Sequence, residues 1–429
     1  MAITHVGKPV AGVAPSASNS AAMAMVTTLF FMWGFITCLN DILIPHLKAI
    51  FDLNYTEVML VQFAFFSGYF IFALPAGKLI EWIGYKRTMV VGLCTMAVGA
   101  LLFVPAASMP AFVVFLTALM IVAAGMTLLQ VSANPYVSVL GPSETASSRL
   151  NLTQAFNSLG TTIAPFFGSL LILSTAPKAI EEIRRLAPDA LQAYRLHEAA
   201  TVKFPYVVIA LTLLALAVVI GMFKLPLILT DVEGGRDKTG TKSLWSHRHL
   251  VLGVVGIFVY VGAEVAIGSF LVNYFSQNEI GGMTEKEAAV YVSFYWGAAM
   301  VGRFIGSAVL QKVRTGPVLG FAALVAGVLV AVSMLSLGSL AVWSIILVGL
   351  FNSIMFPSIF TLGIAELGPL TSEGSGLLIA AIVGGAIIPV VQGAIADRIG
   401  IHHAFILPVI CYMFIAYYGF KGSKPHVTA

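Results

Sequence analysis

Gly77-Lys-Leu-Ile-Glu81-Trp-Ile-Gly84-Tyr-Lys86-Arg87 closes one long apolar run and leads the chain into the next. Glycines let two helices approach closely, and a carboxylate beside two cations can make charge-assisted hydrogen bonds. Between two membrane spans, such a segment forms contacts at a membrane face. We therefore expect it to gate or stabilise the fold rather than to bind a substrate, although ordinary interfacial charge gives a similar pattern. The predicted gating residues are Gly77, Glu81, Gly84, Lys86 and Arg87.

The composition of the whole chain supports a membrane protein. Of its 429 residues, 59% are hydrophobic and only 10% are charged, whereas soluble proteins carry about 25% charged residues. This excludes a soluble globular enzyme and a disordered chain. The formal net charge of +4 is too small and too scattered for a nucleic-acid partner. The three cysteines lie inside apolar runs and show no metal or disulfide spacing.

Twelve apolar runs predict an all-α membrane protein with twelve transmembrane helices. A bilayer core about 30 Å thick needs roughly 20 apolar residues per helix. The runs are 24–47, 57–81, 88–106, 111–139, 150–173, 204–225, 249–275, 287–310, 317–336, 341–366, 375–396 and 403–420.

Charge and polarity outside these runs predict the domain organisation. Residues 175–203 read as a short amphipathic helix on one membrane face. The charged stretch near the middle of the chain predicts a linker between two halves. The expected units are a disordered tail 1–23, a six-helix bundle 24–225, a cytoplasmic linker 226–248, a second bundle 249–420 and a tail 421–429.

Lysine and arginine asymmetry predicts the orientation, because cytoplasmic loops carry an excess of both residues. With the N-terminus inside, the inner segments hold Lys86, Arg87, Arg149 and the charged linker, while most outer turns are nearly bare. The 175–203 loop is an exception. The excess still favours both termini on the cytoplasmic side.

The two halves repeat each other in sequence. Gly302-Arg303-Phe-Ile-Gly306 in the second half is similar to the 77–87 segment, and Arg303 therefore joins the predicted gating residues. Phe356-Pro357 in the second half corresponds to Asn134-Pro135 in the first. Two similar six-helix units in sequence imply a pseudo-twofold axis along the membrane normal. Transporters of this design bind their substrate at the midplane between the halves.

Two carboxylates inside apolar runs are candidate functional groups. A carboxylate in a spanning helix is costly and marks a functional site by default. Asp41 lies in the first run beside Asn40, and a structural cap near the outer interface is the alternative there. Glu264 lies in the seventh run with Asn273 nine residues further on, where the same helix face is plausible. A buried, neutral carboxyl is the alternative for Glu264.

The 77–87 segment resembles the signature of the major facilitator superfamily, with glutamate at position 81 in place of the usual aspartate. Asn40-Asp41 before Ile-Leu and Pro, together with Ala133-Asn134-Pro135, resembles the fucose:proton symporter branch. So do Arg149-Leu-Asn151-Leu-Thr-Gln154-Ala-Phe-Asn157 and Asn352-Ser-Ile-Met-Phe-Pro357. Within that branch the chain looks most like bacterial glucose/galactose transporters, and the resemblance covers nearly all twelve runs.

This resemblance implies roles for individual residues. Asp41 matches the proton-coupling acid of the branch. Gln130 stands where the branch has a second, sugar-binding acid; an amide can hydrogen-bond a sugar hydroxyl but cannot carry a proton. Glu264 is expected to be a sugar ligand or a second coupling acid. The remaining candidate sugar ligands are Asn40, Asn134, Asn151, Gln154, Asn157, Asn273 and Asn352. Helix packing is the alternative for Gln154, Asn157 and Asn352.

The expected function is therefore secondary active import of a hexose, with glucose and galactose favoured, by symport with H⁺ or Na⁺. No Gly-x-x-x-x-Gly-Lys nucleotide loop is present, and we expect neither an enzyme nor a cofactor. The alternatives are a proton-driven exporter of drugs or sugars and a non-transporting sugar sensor. The expected partners are the sugar and the lipid bilayer, with the protein acting as a monomer in a bacterial inner membrane.

Overall fold

The computed structural model describes residues 17–51, 55–108, 112–171, 185–226 and 243–425, and these are helical over most of their length. We group α1–α5 as the N-terminal half and α6–α14 as the C-terminal half. The helices are α1 (Ala17–Phe51), α2 (Tyr55–Ser108), α3 (Phe112–Val139), α4 (Ala146–Leu171), α5 (Pro188–Met222), α6 (Arg248–Phe275), α7 (Glu285–Val309), α8 (Thr315–Leu335), α9 (Gly338–Asn352), α10 (Met355–Gly363), α11 (Thr371–Ala380), α12 (Gly384–Ile399), α13 (Ile401–Ala404) and α14 (Ile406–Tyr417).

The twelve predicted spans can be counted in these helices. Among the described residues, nine helical stretches are long and apolar enough to cross a membrane. One of them, 63–107, contains two crossings, because the backbone turns at Gly84 with φ 78°. Only glycine adopts such a φ without strain. Counting also α1 and the more polar α4 gives twelve crossings, in agreement with the prediction.

Large apolar side chains on the outer surface fit a bilayer environment. Trp82 is 78% exposed, and Met222 and Leu335 are each 79% exposed. Soluble proteins rarely expose apolar surface in such amounts. Inside the bundle, small residues bring helices together: a Cβ on Gly125 would lie 2.6 Å from the carbonyl oxygen of Gly92. This is the packing mode of membrane helices.

The two halves contact each other at one end of the bundle, which we call the motif end because it carries Gly84. Ser148 Oγ donates to the carbonyl of Ser307 at 2.7 Å, and Ser307 Oγ donates to the carbonyl of Ser148 at 3.0 Å. Ser372 Oγ, in α11, donates to Glu81 Oε1 at 3.4 Å. The motif end is therefore closed in this structure.

Two predicted boundaries differ from the structure. The first helix begins at Ala17, inside the predicted tail 1–23. The amphipathic helix predicted at 175–203 is not a separate element where it is described, because α5 runs without a break from Pro188 to Met222. Residues 227–242 of the predicted linker and residues 426–429 of the C-terminal tail lie outside the described residues.

Candidate substrate site

Glu264 is a half-buried carboxylate near the middle of α6. The hydroxyl of Tyr260, one helical turn earlier, donates to Glu264 Oε1 at 2.7 Å. Tyr260 itself is only 1% exposed, so this bond is shielded from solvent. Within the described part of the chain, Glu264 Oε2 accepts no hydrogen bond. The carboxylate therefore keeps one oxygen available for a ligand hydroxyl.

Arg303 joins this carboxylate to the other half of the molecule. Its Nη1 donates to Ser158 Oγ and, at 3.5 Å, to the carbonyl of Gln154, both in α4. Its Nε donates to the carbonyl of Ser353 at 3.4 Å. The positive charge of Arg303 also interacts electrostatically with the Glu264 carboxylate. Arg303 thus contacts the backbone of Gln154 and lies within electrostatic range of Glu264.

The α4 amides have different surroundings. Gln154 is half-buried, and among the described residues its side-chain amide has no hydrogen-bond partner. Asn157 Nδ2 donates to the carbonyl of Phe30 in α1 at 2.9 Å, which is a helix–helix contact. Asn151 is fully buried, and its Nδ2 donates to the carbonyl of Ser147. Gln154 is therefore the α4 amide best placed for a ligand.

Two further candidate ligands, Gln130 and Asn352, donate hydrogen bonds to tyrosine hydroxyls. Gln130 Nε2 donates to the hydroxyl of Tyr69 at 3.1 Å, and Gln130 remains half-buried. Asn352 Nδ2 donates to the hydroxyl of Tyr295 at 2.8 Å, and both residues are fully buried. The Asn352 contact joins α9 to α7 and matches the helix-packing alternative, whereas Gln130 keeps an exposed portion.

Four candidates lie apart from this group or outside the described side chains. Asn273 lies near the end of α6 and is exposed, whereas Glu264 is half-buried. The predicted location of both residues on one helix face therefore does not give them the same burial. Asn134 is fully buried, and neither of its amide atoms has a partner among the described residues. Asn40 and Asp41 lie in α1, but their side chains are outside the described ones.

The gating residues form the contacts of the motif end. Gly77 lies against α11, since a Cβ there would be 2.9 Å from the carbonyl oxygen of Ser372. Lys86 Nζ donates to the carbonyl of Gly221 at 2.7 Å, near the C-terminus of α5, where a cation is favourable. Arg87 is exposed. These contacts hold elements together, whereas Arg303, the remaining predicted gating residue, contacts Gln154 of the candidate site.

Two partners of the site residues and one buried amide in α12 were not among the predicted site residues. Ser158 and Tyr260, the partners of Arg303 and Glu264, look like ordinary residues of apolar helices. Gln392 of α12 is fully buried, and both of its amide atoms lack partners among the described residues. An amide inside an apolar run was the available signal for Gln392. The sequence gives no sign that Ser158 accepts a hydrogen bond from Arg303 or that the Tyr260 hydroxyl donates to Glu264.

Comparisons with known proteins agree along the length of the chain. The family model described as Major Facilitator Superfamily matches residues 21–382. The chain is 54% identical over 403 residues to the glucose/galactose transporter of Brucella abortus biovar 1 (strain 9-941), covering 94% of both chains. It is 37% identical over 406 residues to the L-fucose-proton symporter of Escherichia coli (strain K12), covering 93% of this chain and 92% of that one. The crystal structure of FucP, a Major Facilitator Superfamily transporter in the outward conformation, is similar to this structure, with a TM-score of 0.89 and 35% identity. That match covers 95% of this chain and 100% of that one.

Proposed function

Because this chain belongs to the Major Facilitator Superfamily, we propose that it is a secondary active transporter that imports a hexose together with a cation. The proposed substrate class rests on one observation, the 54% identity with a glucose/galactose transporter, which extends over 94% of both chains. The relative named as an L-fucose-proton symporter supports cation coupling. The multi-pass helical bundle is the framework that such transport requires.

The sugar binds between the halves, near Glu264 and Gln154. Glu264 has one oxygen engaged by Tyr260 and one available, and a charged acceptor makes the stronger hydrogen bonds with hydroxyl groups. Gln154 has a half-buried amide on the opposite half that is unpaired among the described residues, and Gln130 adds a third polar group. Arg303 contacts α4 and acts on Glu264, so these groups belong to one region.

Coupling depends on Asp41, the carboxylate of the first membrane helix. A proton or Na⁺ bound there lowers the cost of carrying this charge through the transport cycle. Glu264 lies in the other half and serves the sugar. The motif end faces the cytoplasm of a bacterial cell, as the surplus of lysine and arginine on that side favours, and both termini lie on the same side. The transport unit is a monomer, because one chain contains both halves.

Uptake into proteoliposomes tests this function. We expect labelled glucose and galactose to accumulate above equilibrium when a proton or a Na⁺ gradient is imposed, and to equilibrate without one. Imposing each gradient separately identifies the coupling cation. Collapse of the gradient with an ionophore is the control. If neither gradient drives accumulation, symport is contradicted, whereas accumulation of a different sugar would correct only the substrate.

A further inference from the structure

Arg303 is a half-buried cation, and its hydrogen-bond partners among the described residues are all neutral. They are Ser158 Oγ, the carbonyl of Gln154 and the carbonyl of Ser353. In the part of the chain that the structure describes, no carboxylate forms an ion pair with its guanidinium. A partly desolvated cation without an anion is costly unless its donors are satisfied. Arg303 therefore depends strongly on the acceptors that α4 provides.

Two of these acceptors belong to the opposite half of the molecule. Ser158 and Gln154 lie in α4, whereas Arg303 lies in α7. Alternating access requires the halves to separate at the motif end, where α4 and α7 now meet through Ser148 and Ser307. Separation carries the α4 acceptors away from Arg303. The guanidinium then needs a replacement.

Glu264 is suited to be that replacement. It lies in α6, in the same half as Arg303, so the two residues move together when the halves separate. The Arg303 charge already acts on the Glu264 carboxylate. Among the described residues only Tyr260 donates to this carboxylate, and it occupies Oε1 alone. The second oxygen is available for a guanidinium N–H.

We propose that Arg303 exchanges partners during the transport cycle. With the motif end closed, it binds Ser158 and Gln154 of α4. With the motif end open, it binds the Glu264 carboxylate and competes with the sugar for that group, which promotes release of sugar at the motif end. The release step rests on the proposed function, whereas the exchange of partners is a property of the protein without sugar.

Two substitutions should shift the sugar-free protein in opposite directions. Spin labels on opposite halves of the motif end would measure the fraction of open molecules. Ser158→Ala removes an acceptor used only when this end is closed, so the ratio of open to closed molecules should rise. Glu264→Gln weakens an acceptor used only when it is open, so the ratio should fall. We expect each shift to be about tenfold, as for a hydrogen bond to a charged group.

An Arg303→Gln background provides the decisive comparison. Both shifts should disappear there, because both operate through the guanidinium, and Arg303→Lys should retain part of each. Ser293→Ala and Glu279→Gln, at exposed positions, are matched controls that should shift nothing. Shifts of the same size with and without the Arg303→Gln substitution would overturn the exchange. So would shifts of the same sign for Ser158→Ala and Glu264→Gln.

Sugar binding from the two sides tests the release step separately. In Arg303→Gln, half-saturation by glucose at the motif end should occur at a severalfold lower concentration, while half-saturation at the other end changes less. An unchanged ratio between the two sides would overturn the competition with sugar. If Glu264→Ala leaves sugar binding intact while the sugar-free shifts behave as described, the proposed sugar ligand is wrong and the partner exchange stands.

Discussion

Asp41 is the residue on which the coupling mechanism depends. Asp41→Asn should abolish uphill accumulation of sugar and leave counterflow partly intact, because the binding groups remain while the coupling charge is lost. Both activities can be measured in the same proteoliposomes. Asp397→Asn, an exposed carboxylate near the end of α12, is the control and should accumulate sugar normally. Concentrative uptake at the normal level by Asp41→Asn would remove Asp41 from the coupling mechanism.

Gln130 is the position where this chain departs from the acid of the fucose branch. Gln130→Glu replaces the amide that donates to Tyr69 with a group that can be protonated. We expect a changed sugar preference or a changed pH dependence of transport, because a carboxylate within the membrane responds to protonation and an amide does not. Competition by unlabelled sugars over a pH series measures both, with the exposed Gln311→Glu as control. Identical profiles would show that position 130 does not face the sugar.

At the residue scale, the sequence could identify candidate groups but not their partners. Glu264 stands out because a carboxylate inside an apolar run is rare, and the structure places it beside Tyr260 and within electrostatic range of Arg303. The same reasoning gave Asn157 and Asn352, whose amide nitrogens bond other helices. An amide that faces a cavity and one that joins two helices look identical in a sequence. Only the packing of the helices separates them.

At the scale of the helices, the approach of α1 and α4 depends on two glycines. A Cβ on Gly160 would lie 2.3 Å from the carbonyl oxygen of Phe31, and one on Gly34 would lie 2.2 Å from that of Asn157. Gly160→Ala must push the helices apart, and overpacking typically costs about 1–3 kcal/mol. We expect a lower melting temperature in detergent and weaker sugar binding, because α4 also carries Gln154.

Gly297→Ala is the matched control for this substitution. Gly297 lies in α7, and a Cβ there would meet nothing within 4 Å. Alanine has the higher helix propensity, so Gly297→Ala should keep or slightly raise the melting temperature. An equal melting temperature for Gly160→Ala and the wild type would contradict close packing of α1 against α4.

The spans were predictable because the bilayer fixes how long an apolar helix must be. Even the polar α4 was found, because its amides interrupt an apolar run without ending it. The continuous helix α5 was not predicted, since residues 175–203 are polar and the change of polarity suggested a boundary. The polarity of a segment indicates whether water or lipid surrounds it and does not show where its helix ends. Backbone hydrogen bonds can continue through such a change, as they do here past Pro205.

For the whole molecule, alternating access requires the motif end to open and close. Ser148 and Ser307 face each other across the halves with their Oγ atoms 3.4 Å apart. In a background without Cys38, Cys94 and Cys411, the pair Ser148→Cys and Ser307→Cys should cross-link under oxidation and stop transport. Sugar binding from the opposite side should persist, and reduction should restore transport. Rapid transport by the cross-linked protein would rule out opening at this interface.

Binding of sugar to the purified protein tests the central claim, that a hexose binds between the halves on Glu264. Loss of one partner of a buried polar contact costs about 1–3 kcal/mol, or roughly ten- to a hundredfold in affinity. Calorimetry with glucose, galactose and singly deoxygenated sugars should therefore show Glu264→Ala binding glucose at least about tenfold more weakly than the wild type. Glu264→Gln should be milder if Glu264 only accepts hydrogen bonds. One deoxy-sugar should lose less affinity in Glu264→Ala than in the wild type, and that sugar identifies the contacted hydroxyl. Equal affinities of the wild type and the folded Glu264→Ala variant for the whole series would contradict the claim.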